Sequence, residues 1–190
     1  MNNILQEVKI KTAKVMKKNG LHDLQDHVEK VEGNVCKLIE KVPGAKEVNE
    51  LSVRTAALIH KICEVKKDQG EPILSAINFL SDIPGFPEDE IEQVVKLVKI
   101  ESNEAKPLEK KLLYDGHALD YFNDEARDRL LKEYQASGLS SRLAYQRLGK
   151  FLEILWANLH FNETKEMAQK GYEAIQVCIN LEMQKYQQVS

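Results

Sequence analysis

The run Ala56-Ala57-Leu58-Ile59 leaves no polar side on which a helix could meet water. Successive residues turn by about 100° around a helix, so four apolar neighbours cover its whole circumference. A segment built this way belongs at the centre of a bundle, with other helices packed around it. It lies within a helical stretch from about Val48 to Val65, and His60 closes the apolar run. A ring nitrogen placed there needs a partner if it is buried.

Apolar residues recur at helical spacing through nearly all of the remaining chain. The spacing predicts a first helix over about 3–18, stopped by Asn19-Gly20, and a second carrying Val28, Val31, Val35, Leu38, Ile39 and Val42, ended by Pro43-Gly44. Asp68-Gln69-Gly70 breaks the third, and a short segment follows from Pro72 to Leu80. Pro87 with Glu88, Asp89 and Glu90 marks a helix start, because proline suits a first turn and acids suit the positive end of the dipole. Another helix begins near Pro107, and the polar stretch 123–138 is expected as an exposed helix or ordered loop. Two long helices close the chain, the last with Thr164 as its cap. No strand alternation, internal repeat or low-complexity tract is present. The expected fold is therefore all-α: one helical-bundle domain over 1–190, its core at about 20–122 and its closing helices at about 140–187.

Charge narrows the function classes. With 27 basic and 30 acidic residues the net charge is −3, which speaks against a general nucleic-acid binder. The spacings of Cys36, Cys63 and Cys178 fit neither a zinc ribbon nor a redox pair, so they read as buried, reduced thiols. The lysine-rich first twenty residues hold no continuous apolar segment. No stretch approaches the roughly 20 apolar residues that span a bilayer. The expectation is a cytoplasmic chain with no membrane contact, whose apolar last helix offers a surface for a homodimer.

Of the five histidines, His22 and His160 read as surface groups. His27, His60 and His117 each lie on a different expected helix among apolar residues. Imidazoles from separate helices are the usual raw material of a metal site in a bundle. Acids stand nearby in sequence: Asp23 and Asp26 beside His27, Glu64 one turn after His60, and Asp115 and Asp120 flanking His117. Such acids ligate a metal or orient its imidazoles.

In their order, HDLQDHVEKV at 22–31, RTAALIHKI at 54–62 and LLYDGHALDYF at 112–122 resemble the HD superfamily of metal-dependent phosphohydrolases. The tail LGKFLEILWANLHFNETKEMAQKGYEAI at 148–175 is similar to the closing helices of that superfamily's small bacterial branch, so the resemblance spans about 20–185. It implies that His27 and His60 are the first two metal ligands. The aspartate expected after the second is here Lys61. The ligand aspartate of the family's DADxLD segment falls on His117, with Asp115 and Asp120 matching the flanking acids.

A carboxylate gives a cation a negative oxygen, whereas lysine presents three donors, no acceptor and a like charge. Two outcomes follow. Lys61 turns outward and His27, His60 and His117 hold one ion of the zinc, nickel, manganese or iron group, best a soft-to-borderline one. Alternatively, Lys61 points inward, its ammonium stands in for the metal charge, and it pairs with Glu64, Asp115 or Asp120. The second is favoured here because the acids would otherwise repel one another, and with it goes less than one tightly bound transition metal per chain.

The first functional reading is thus a phosphohydrolase-like protein with an altered metal site, catalytically impaired, binding a small phosphorylated molecule or a partner in the family's cleft. The second is a working phosphohydrolase on a nucleotide-like phosphate ester, its water activated at the metal, with Asp115, Asp120 or Glu64 as the acids and Lys61 as a phosphate contact. A third is an interaction module using an exposed face of the bundle. Lys66 and Lys67 are further candidates for drawing phosphate to the site.

Overall fold

A computed structural model of the chain describes residues 2–65, 72–98 and 107–187; side chains are described there except at 2, 22, 23, 63–65, 72, 73 and 187. Among the described residues there are nine α-helices and no strand. They are α1 (Asn2–Lys18), α2 (His22–Lys41), α3 (Glu50–Val65), α4 (Pro72–Ser81), α5 (Glu88–Val98), α6 (Leu108–Leu119), α7 (Asp124–Ala136), α8 (Ser141–Ala157) and α9 (Asn162–Gln187), with one 3-10 turn at Ala45–Glu47. The chain forms two compact units, Met1–His117 and Ala118–Ser190.

Helix ends follow local chemistry. Gly20 takes φ 70° and closes α1. Its N–H donates to Lys17 O at 3.2 Å and that of Leu21 to Met16 O at 2.9 Å, a pattern that satisfies the last carbonyls and needs a left-handed residue. Asn123 Oδ1 caps α7 by accepting from Ala126 N at 2.9 Å.

In Met1–His117, α3 packs against α1, α2, α4 and α5. Val53, Ala56, Ala57 and Leu58 are fully buried, as an all-apolar circumference requires. One charged cluster is built into this packing. Glu32 of α2 is buried and meets Arg54 of α3 at 2.5 Å and Lys9 of α1 at 3.0 Å. Burial works to raise the Glu32 pKa, but the Lys9 and Arg54 hydrogen bonds and charges prevail and hold it below its ordinary value. Cys36, one turn on, is pushed up to about 11, chiefly by burial and then by the Glu32 carboxylate.

In Ala118–Ser190, α7, α8 and α9 pack on one another. Phe122 sets its edge against Trp156 and Tyr172, whose rings stack with centroids 4.4 Å apart.

Several expectations need correction. The 123–138 stretch is a helix whose Ala126, Leu130 and Leu131 are buried, so its charge density conceals an apolar stripe. Thr164 does not cap α9: the helix already starts at Asn162, and Thr164 is fully buried inside its first turn. Cys36 and Cys178 are only half-buried, because each sits at the margin of its helix's apolar face; the side chain of Cys63 lies outside the described residues. The break at 68–70 and Lys66 and Lys67 also lie outside them. Val177 and Leu181 of α9 are exposed, one turn apart. No helix among the described residues is long and apolar enough to cross a membrane.

Candidate metal centre

On α2, His27 continues the buried stripe of Val28, Val31, Val35 and Leu38 and is itself 3% exposed. On α3, His60 stands one turn after Ala56, directly after the buried run 55–59. On α6, His117 lies in the last turn, with Nε2 shielded from solvent. The three rings converge. Centroids are 5.3 Å apart for His27 and His60, 5.0 Å for His27 and His117, and 5.1 Å for His60 and His117. All three pairs meet edge to face, and one ligand nitrogen from each lies within 4.8 Å of the others.

His60 Nδ1 is 2.7 Å from the Ala57 carbonyl, which can only accept. Nδ1 therefore carries the hydrogen and donates, and in the neutral ring Nε2 keeps its lone pair. That nitrogen is 3.3 Å from His27 Nε2. Two nitrogens on one tetrahedral ion, each at about 2.0–2.1 Å, stand roughly 3.3–3.4 Å apart. The same spacing suits an N–H···N hydrogen bond while no ion is bound. The donor set thus fits a divalent ion: three imidazoles, with His60 Nδ1 occupied by a backbone acceptor so that Nε2 is its ligating nitrogen.

The group of ligand nitrogens holds no acid among the described residues. Asp115 is fully buried, two residues before His117 on α6. Asp120 is buried, and its carboxylate lies 3.3 Å from Arg129 Nη2 within Ala118–Ser190. Lys61 follows His60 by about 100° around α3 and is half-buried. The side chain of Glu64 lies outside the described residues, as does that of Asp23. Asp26 and His160 are exposed. Two contributors escaped the sequence reading: the Ala57 carbonyl, which carries no residue signal, and Asn34, whose Nδ2 donates to Gly116 O at 3.2 Å.

No protein-family model matches this sequence. No curated protein matches it either. Solved structures do match, and the fold they define is that of the HD-superfamily hydrolases. An HD-superfamily hydrolase from Bacillus thuringiensis superposes with a TM-score of 0.78, covering 98% of each chain at 16% identity. Bacillus subtilis YpgQ in complex with ADP gives 0.67 over 83% of this chain and 87% of its own, at 21% identity. The Lin1889 protein of Listeria innocua gives 0.71 over 95% and 93%, at 18% identity. The all-α expectation and the likeness to the HD fold therefore hold.

Proposed function

We propose that this chain is an HD-superfamily phosphohydrolase-like protein that binds a small, nucleotide-like phosphorylated molecule at one divalent ion held by His27, His60 and His117, with hydrolysis impaired. The convergence of those imidazoles from three helices, with His60 Nε2 fixed as an acceptor, carries the reading. It favours the first of the two outcomes for Lys61. Asp120, one acid expected to draw Lys61 inward, is engaged by Arg129. The ADP held by YpgQ supports a nucleotide-like ligand.

A bound divalent ion supplies Lewis acidity toward a phosphoryl oxygen. The chain's own residues do the rest. His27, His60 and His117 present imidazole nitrogens, a donor type that suits zinc or nickel better than magnesium or calcium. Lys61 adds a positive charge beside the site and serves as a phosphate contact. Impairment follows from the donor set. With Lys61 and His117 where the resemblance expects aspartates, the trio offers no carboxylate to bridge ions or take up a proton.

Elemental analysis of the purified chain and calorimetry with ADP test this directly. About one zinc, nickel, manganese or iron per chain is expected, lost in His60→Ala and His117→Ala, with ADP binding lost alongside it. Metal-free protein that takes up no added zinc would overturn the metal centre. Turnover of nucleoside phosphates at typical enzyme rates, about 1–10³ per second, would overturn the impairment.

A further inference from the structure

At Gly116 α6 rests directly on α2. A Cβ placed on this glycine would stand 2.6 Å from Val35 Cγ2, 3.2 Å from Val35 N and 3.4 Å from Val31 O. One residue away, Asn34 Nδ2 donates to Gly116 O at 3.2 Å. Gly116 immediately precedes His117, and Val31 lies one turn beyond His27. The crossing point and the imidazole pair are thus neighbours on both helices.

We infer that Gly116 and Asn34 are positioning residues for the His27–His117 pair: the missing side chain sets how deeply α6 approaches α2, and the Asn34 amide sets its register. This rests on the metal-centre reading. Val35 is fully buried, and valine in a helix has one strongly preferred χ1, so its methyl does not swing aside cheaply. The Val35 nitrogen belongs to backbone and yields less still. An ordinary carbon–carbon contact is about 3.5–4.0 Å, so an added methyl is short of room by roughly 1 Å. α6 would withdraw by much of that, carrying His117 with it. Metal–ligand distances tolerate only about 0.2 Å. The displacement exceeds the tolerance several-fold.

The test uses the full chain as Gly116→Ala, Gly116→Ala with Val35→Ala, and Asn34→Ala. Cobalt(II) is titrated against each and its visible absorption recorded. In metal-free protein, the nuclear Overhauser effect between the His27 and His117 ring protons is measured, since the rings lie 5.0 Å apart. Gly116→Ala should keep its helical circular dichroism, bind cobalt at least about tenfold more weakly with an altered spectrum, and show no Overhauser effect between the two rings. Removing the opposing methyl with Val35→Ala should recover much of both, which a merely structural defect would not do. A folded Gly116→Ala with parental affinity, spectrum and Overhauser effect overturns the proposal. If Gly116→Ala does not fold, Asn34→Ala carries the test, and an unchanged spectrum and Overhauser effect in it overturn the proposal. If the parent chain binds no cobalt, the metal-centre reading fails by itself; an Overhauser effect that vanishes in Gly116→Ala and returns with Val35→Ala would still support the positioning role.

Discussion

A single proton on His60 decides what the candidate centre can do. Because the Ala57 carbonyl takes the Nδ1 hydrogen, Nε2 faces His27 as a lone pair at 3.3 Å. The next residue works against a cation. Lys61 brings a positive charge to the position where the resemblance expects an aspartate, and a like charge beside a divalent ion repels it. Lys61→Asp should therefore raise zinc or manganese affinity at least about tenfold, and the double change with His117→Asp should shift preference toward manganese. Competition titration against a chelating dye reads both. Unchanged affinity in the double variant would mean that Lys61 and His117 do not occupy the carboxylate positions.

Between helices, the Glu32 cluster ties α1, α2 and α3 together in the unit that carries all three histidines. The Glu32 carboxyl is held below its ordinary value of 4.5, so the fold favours its ionised form. Its contribution is complete above that value and is lost as pH falls through the lower folded value. Glu32→Gln should lower stability at pH 7 by about 1–3 kcal/mol, less than for a fully enclosed pair because Lys9 and Arg54 partly meet water. It should also flatten the fall in stability below pH 4.5, read by urea unfolding from pH 7 to 3; parallel curves for the two proteins would remove this role from Glu32. Elements of this kind were unevenly legible. The burial of α3 could be read from residues 56–59 because an all-apolar circumference has only one resting place. Gly20 announced the end of α1 because few residues accept its backbone angle. Thr164 misled, since a threonine near a helix start looks the same whether it caps the first turn or lies inside it. Nothing in the periodicity of α2 told Asn34, which reaches α6, from any other polar residue on its flank.

Across the molecule, the order of three segments made the fold legible although the solved structures that share it are only 16–21% identical. The approach of α6 to α2 was not legible, since a glycine inside a helix looks alike whether it faces solvent or a neighbouring backbone. If the centre binds an ion only when folded, the ion stabilises the chain by mass action. Zinc at about a hundred times its dissociation constant should add roughly 2.7 kcal/mol, less any binding to the unfolded chain. The melting temperature should rise accordingly, fall back with chelator, and stay constant in His60→Ala; an equal rise in that variant would place the ion elsewhere. α3 is enclosed by α1, α2, α4 and α5. Its buried amides should therefore exchange with solvent more slowly than those of helix ends and outer turns, which hydrogen exchange would read. His60 follows directly on that enclosed stretch, which anchors its donor nitrogen.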